Sequence, residues 1–191
     1  MGTLFVDNIK HQSSQGSGTI TVGASGETVA PASGVMTKLG VFENQLLHVR
    51  DEKSASTNGG SSSAGYQTRT LNTVVTNEIT GASLSSNQIT LPAGTFFIEA
   101  YAVAYKTDQN IISFYNVTDS SYDIFGRNNY SSSAHAVQTV NLLKQRFTIS
   151  SQKVFELQHY IASARSQSNG LGVANGSNTN IYSDVLIWRI A

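Results

Sequence analysis

Along residues 96 to 105, FFIEAYAVAY, alternate positions form two sets: Phe96, Ile98, Ala100, Ala102 and Ala104, then Phe97, Glu99, Tyr101, Val103 and Tyr105. A period of two in β-branched and aromatic residues predicts a strand. Both sets are largely apolar, so the strand is expected to be covered on both faces. Residues 154 to 161, VFELQHYI, and 182 to 191, YSDVLIWRIA, repeat that character. Further strands are predicted over residues 44 to 50, 66 to 79, 87 to 91, 111 to 117, 122 to 126 and 137 to 149. Turn residues separate them at Asn58-Gly59-Gly60, Thr80-Gly81, Pro92-Ala93-Gly94, Thr118-Asp119-Ser120, Arg127-Asn128-Asn129, Ser150-Ser151-Gln152 and Asn169-Gly170. Helical periodicity is nearly absent. The pattern reads as all-β, an antiparallel sandwich or jelly roll over residues 38 to 191.

Residues 1 to 37 differ in kind. The run from 16 to 34, GSGTITVGASGETVAPASG, offers short apolar pairs between glycines and small residues, too thin to bury a core alone. It reads either as a linker or as an extended, intertwined β stalk in which several chains bring Ile20, Val22 and Val29 to a shared axis. Outward-facing aromatics on the later strands point to association as well. Tyr101, Tyr105, Tyr160 and Trp188 would leave contiguous rings in water on a monomer, and burial between copies removes them. A three-fold arrangement suits a stalk followed by a head.

Composition narrows the partners. Charged residues are 13% of 191, against about 25% in ordinary domains. Twelve basic and twelve acidic residues cancel, and no basic run offers the footprint that a phosphate backbone requires, so nucleic acid is not expected as a partner. There is no Cys, which removes disulfides, thiolate metal sites and cysteine catalysis. Asp7 and Lys10 interrupt any early apolar run, and no stretch approaches the ~20 residues of a helical span; neither a secretory leader nor membrane insertion is expected.

Little in the chain points to catalysis. Cleaving a glycan needs two carboxyl groups roughly 5 to 10 Å apart. Asp108, Asp119, Asp123, Glu99, Glu156 and Asp184 are the candidates, and none forms a convincing pair by spacing. Glu99 and Glu156 sit among apolar strand neighbours, where a satisfied contact or an ion pair with Arg146 or Arg189 is expected. His11, His48, His135 and His159 lack the short spacing of metal ligands, so no metal and no cofactor are expected. His159 reads as a hydrogen-bonded core or interface residue, with an ion on a three-fold axis as the alternative. Planar polar side chains beside aromatic rings suit sugar recognition better. Three loop clusters have that make-up: Tyr122, Arg127, Asn128, Asn129 and Tyr130; Lys106, Asp108, Gln109 and Asn110; and Arg165, Gln167 and Asn169 with the Asn-rich run from 175 to 180. Each also reads as a solvated turn.

Two segments resemble known families. LFVDNIKHQSSQGSGTITVGASGETV is similar to the N-terminal segment of tail-fibre and receptor-binding proteins of tailed bacteriophages, particularly those of cyanobacteria and other aquatic bacteria. The remainder, from FENQLLHVRDEKS through ITLPAGTFFIEAYA to SDVLIWRIA, resembles the trimeric jelly-roll heads of the tumour necrosis factor and complement-collagen superfamily. The resemblance implies a homotrimeric fibre protein of the virion, assembled in the host cytoplasm. Residues 1 to 37 would attach it to a tail, baseplate or adaptor protein, and the head would bind a host-surface glycan such as lipopolysaccharide. A structural or decoration protein and a short polysaccharide-cleaving tailspike are the alternatives.

Overall fold

The structure, a computed structural model, describes residues 45–190. The stalk predicted over residues 1 to 37, with Ile20, Val22 and Val29, lies outside the described residues. Among those described there are eleven strands and no helix: β1 (Gln45–Lys53), β2 (Gly65–Thr68), β3 (Thr73–Asn77), β4 (Ser83–Ser85), β5 (Gln88–Leu91), β6 (Gly94–Tyr105), β7 (Asp108–Asn116), β8 (Asn129–Ser131), β9 (Gln138–Ile149), β10 (Lys153–Ile161) and β11 (Asn180–Arg189). They pair antiparallel in two sheets, one ordered β3-β1-β11-β6-β9 and the other β4-β5-β10-β7-β8, with β2 also on β10. From β6 to β11, apart from short β8, the chain alternates between sheets at each turn. This is the jelly-roll sandwich that the alternating pattern predicts.

Between the sheets, Leu47, Val49, Phe96, Ile98, Ala100, Leu143, Val185 and Ile187 of the first sheet meet Ile89, Leu91, Ile112, Phe114, Phe155 and Leu157 of the second, all buried. Phe114 and Phe155 stack with ring centroids 4.6 Å apart and planes at 7°, and Phe147 packs edge-on to both. Apolar burial at roughly 25 cal/mol per Å² makes this the main driving force for folding. Toward the other end of the same interior the lining turns polar, with Asp51, Arg69, Asn110, Asn141, His159 and Ser183 all buried.

Strand register fixes the two ends. β6 and β9 pair from Gly94↔Ile149 to Tyr105↔Gln138, while β1 and β11 pair from Gln45↔Arg189 to Lys53↔Asn180. Gln45, the first described residue, therefore lies at the Gly94 end. The β6–β7 turn and the long β10–β11 loop lie at the opposite end, which we term distal.

Two predicted strands are corrected. Residues 66 to 79 are not one strand: β2 belongs to the second sheet and β3 to the first. Arg69 and Leu71 lie between them with both side chains buried, so the chain crosses the sandwich there. Residues 122 to 126 form a strap with one isolated bridge, Ser113↔Phe125, just after the bridge Asn116↔Ser121. Gly126 N–H donates to Ile112 O on β7, and Arg127 N–H donates to Leu142 O on β9, each at 2.8 Å. The strap thus ties the two sheets together along their open edge. A Cβ at Gly126 would stand 2.7 Å from Leu142 O and 2.9 Å from Ile112 Cγ1, so glycine is what allows the close approach.

Candidate functional site

On β10 Phe155, Leu157, His159 and Ile161 are buried, and Val154, Glu156, Gln158 and Tyr160 face away from the core. β2 brings Tyr66 opposite Tyr160 and Thr68 opposite Gln158, β7 brings Tyr115 opposite Glu156, and β5 brings Gln88 opposite Glu156. The strap lays Tyr122 over this surface. Ring centroids of Tyr66 and Tyr122 are 4.4 Å apart, those of Tyr115 and Tyr122 4.4 Å, and those of Tyr66 and Tyr160 5.3 Å. Phe125 continues the row at 6.4 Å from Tyr122. Tyr66 is 43% and Tyr160 38% exposed. The result is a contiguous aromatic platform on the outer face of the second sheet, of the kind that marks interaction sites on soluble proteins.

Its polar groups are fixed. Tyr122 O–H donates to Gln158 Oε1 at 2.6 Å, and Gln158 Nε2 donates to Glu156 Oε2 at 3.0 Å. Thr68 Oγ1 donates to Glu156 Oε2 at 2.7 Å and Gln88 Nε2 to Glu156 Oε1 at 2.9 Å. Partial burial pushes the Glu156 carboxyl up, but hydrogen bonds from Thr68, Gln158 and Gln88 outweigh it and hold the group below its ordinary value. Glu156 is therefore an ionised acceptor, held by neutral donors and by neither Arg146 nor Arg189.

The predicted clusters are partly dispersed. Tyr122 joins the platform, Arg127 and Asn128 lie exposed on the strap, and Asn129 and Tyr130 belong to β8, with Tyr130 54% exposed. Asn129 Nδ2 donates to Val140 O at 2.8 Å, closing the edge further. Lys106 and Asp108 stand at the distal β6–β7 turn with φ of 57° and 54°. Asp108 is a clamp: Ser163 Oγ–H and Ser133 N–H both donate to its carboxylate, and those bonds hold it down to about 2. Asn110 was expected in a solvated loop. It is interior, because β7 begins at Asp108 and even positions on that strand face the core. Arg165 and Asn169 remain at the distal end, in contact with each other.

The predicted interface residues do not share one face. Tyr101 and Trp188 lie on the outer face of the first sheet, Trp188 opposite Phe97 in register. There Tyr101, Val103, Val140 and Ile181 line a shallow apolar depression of about 310 Å³. Val140 is 56% and Ile181 44% exposed. Tyr105 occupies the distal end of β6, where the Arg165 guanidinium covers it at 5.0 Å. Tyr160 belongs to the opposite sheet, so within one chain it lies on a different face from Tyr101 and Trp188. Alternation correctly shows that these strands are two-sided but does not assign them to sheets. The same limit hid Tyr66, Tyr115 and Gln158, whose grouping is visible only once β2, β7 and β10 are neighbours.

Among the acidic candidates, Asp119 and Asp123 come together on a cleft of about 430 Å³ between β7, β9 and β10, floored by Phe114, Phe147 and Phe155. Lys153 Nζ lies 2.6 Å from Asp119 Oδ1, and this contact holds the Asp119 carboxyl below its ordinary value. Glu99 pairs with Lys144 at 3.0 Å, and Asp184 Oδ1 lies 2.6 Å from His48 Nε2. His159 is fully buried within its own chain, which places it away from any axis between chains. No group of three or more His, Cys, Asp or Glu side chains suited to a metal occurs among the described residues.

The chain matches no family model and no curated protein. Among solved structures it is similar to murine APRIL at pH 8.5, with 8% identity over 78% of this chain and 100% of that one and a TM-score of 0.49. It is also similar to the globular domain of the zebrafish complement 1qA protein, with 12% identity over 77% of this chain and 98% of that one and a TM-score of 0.48.

Proposed function

We propose that this chain is the head of a homotrimeric bacteriophage fibre that adsorbs to a host-surface glycan without chemical turnover. The observation that carries the binding role is the exposed tyrosine platform with its immobilised Gln158 and Glu156. Aromatic faces accept the apolar C–H faces of sugar rings, and amide and carboxylate groups held in one geometry receive hydroxyls without losing further rotamer entropy. The fibre assignment rests on the resemblance of LFVDNIKHQSSQGSGTITVGASGETV to fibre N-termini. In that reading residues 1 to 37 attach to a tail, baseplate or adaptor protein, and the distal loops point away from the virion.

The apolar depression on the outer face of the first sheet favours association through that surface. Contact between copies there would cover Tyr101, Val103, Val140 and Ile181 while leaving the tyrosine platform, on the other sheet, free for ligand. Three heads on one fibre raise avidity without any new contact. The polysaccharide-cleaving alternative is weaker. An acid catalyst needs a carboxyl raised toward neutral pH, whereas Asp119 is tied to Lys153 and shifted the other way.

Adsorption of fluorescent protein to host and resistant cells tests the proposal. We expect binding to host cells only, with a strong loss in Tyr66→Ala and Tyr160→Ala. Equal binding to both cell types, or adsorption unchanged by both substitutions, would leave only a passive structural head. Release of oligosaccharide from host polysaccharide would instead assign an enzyme.

A further inference from the structure

At the distal end three segments lock one arginine in place. Arg165 N–H donates to Ser62 O and Ser62 N–H to Arg165 O, each at 2.9 Å. Tyr105 N–H donates to Gly170 O at 3.0 Å, which joins the end of β6 to the same loop. A Cβ at Gly170 would stand 2.6 Å from Ser62 Oγ and 3.1 Å from Arg165 Cβ, so the loop closes only with glycine at that position. The Arg165 side chain has partners of its own. Its guanidinium carbon sits 5.0 Å from the centroid of the Tyr105 ring, and Nε–H donates to Asn169 Oδ1 at 2.6 Å.

A surface arginine with no acidic partner ordinarily samples solvent. This one is held by a ring and an amide, while no carboxylate lies within ion-pair distance of it or of Lys106 among the described residues. Asp108, the acidic residue of the β6–β7 turn, already has one oxygen taken by Ser163 and the other by Ser133. Asn169 uses only Nε–H of the guanidinium, which leaves the paired Nη hydrogens without an acceptor among the described residues. A planar fork of that kind fits a carboxylate or a phosphate through two parallel hydrogen bonds.

We infer that Arg165, stacked on Tyr105 and aligned by Asn169, receives an anionic substituent of the host glycan, a carboxylate or a phosphate. The inference rests on the adhesin reading and names the class of ligand: an acidic glycan rather than a neutral one. Because the side chain is ordered before the ligand arrives, little of the binding energy is lost in immobilising it.

The test uses the full chain and three immobilised polymers: polygalacturonate for carboxylate, poly(glycerol phosphate) for phosphate, and dextran as the neutral control. We expect one anionic polymer to bind more tightly than dextran and to weaken with added salt. Arg165→Gln should lower that affinity by about tenfold or more. Arg165→Lys should lose most of it too, since an ammonium neither forks nor stacks in the same way. Asn169→Ala keeps the charge but frees the fork, and should give a smaller loss. If Arg165→Gln does not fold by circular dichroism, the Asn169→Ala comparison decides. Affinity for dextran equal to that for both anionic polymers, or anion binding unchanged by the substitutions, would overturn the inference. Host adsorption that persists in Arg165→Gln but fails in Tyr66→Ala would remove the anion site and keep the adhesin. Wild-type protein that adsorbs to no host cell would remove the adhesin reading itself.

Discussion

Asn141 on β9 donates from Nδ2 to Asn110 Oδ1 on β7 at 2.6 Å, joining the two sheets through the polar half of the interior. His159 Nε2 completes the group at 3.2 Å from Asn141 Nδ2 and 3.4 Å from Asn110 Oδ1. Buried polar groups of this kind stabilise only while their hydrogen-bonding roles are kept.

Protonation of His159 breaks those roles. Burial, and secondarily the charge of Arg69, holds the ring well below its ordinary value, so the folded chain keeps it neutral where the unfolded chain takes up a proton. Its contribution is fully present above about pH 6.5 and is lost as the pH falls below that, by at most ~1.4 kcal/mol per pH unit. Asp51, raised by burial, has the opposite sign: its contribution is lost as the pH rises. The comparison with a variant therefore decides. Urea unfolding at about pH 7.5 and pH 5 should show a lower midpoint at the acid value in wild type and a smaller difference in His159→Gln. Equal pH differences in the two proteins would show that His159 is not the acid-sensitive group.

Arg69 should be intolerant of every substitution. Nε–H donates to Ser183 Oγ at 2.8 Å, and the Nη groups donate to Tyr182 O at 2.7 Å, Leu171 O at 3.1 Å and Val103 O at 3.3 Å. Burial brings the guanidinium down to about 10, still charged at neutral pH. Removing it strands the carbonyls of three segments in the interior, each unmet acceptor costing about 1 to 3 kcal/mol. We expect Arg69→Leu to lose at least ~3 kcal/mol in urea unfolding and Arg69→Lys to recover only part, because one ammonium cannot reach four acceptors on three segments. A loss under ~1 kcal/mol in Arg69→Leu would refute this account.

The same arginine shows what the chain's pattern could and could not disclose. Alternation in FFIEAYAVAY identifies β6 and its inner face, since Phe96, Ile98 and Ala100 differ from Phe97, Glu99 and Tyr101 by their neighbours two residues away. Arg69, among Thr and Gln, carries no local mark of burial. Its partners come from residues 103, 171, 182 and 183, so the break between β2 and β3 is a tertiary event. Asn110 and Asn141 have the composition of loop residues and become interior only because each faces the other. At the proposed binding surface, Tyr122 and Arg165 stand out in the sequence as polar–aromatic loop chemistry. Tyr66 and Tyr160 were not legible as a pair, because they stand 94 residues apart in sequence and meet only through the β2–β10 pairing.

Association of the chain through its first sheet predicts a surface substitution with a large effect on assembly and almost none on the fold. Val140 is half exposed beside Tyr101, Val103 and Ile181, and its side chain faces away from the core. In a monomer Val140→Glu would change stability by about 0.5 kcal/mol or less, as for other solvent-facing positions. In an assembly that closes over this face, each copy would carry an unpaired carboxylate into an apolar contact, and the three like charges would lie near one axis. Light scattering should give three times the 20.4 kDa chain mass for wild type and a single chain for Val140→Glu, with unchanged far-ultraviolet circular dichroism. A wild-type mass of one chain would refute the trimer, and a trimer that survives Val140→Glu would move the contact to another face.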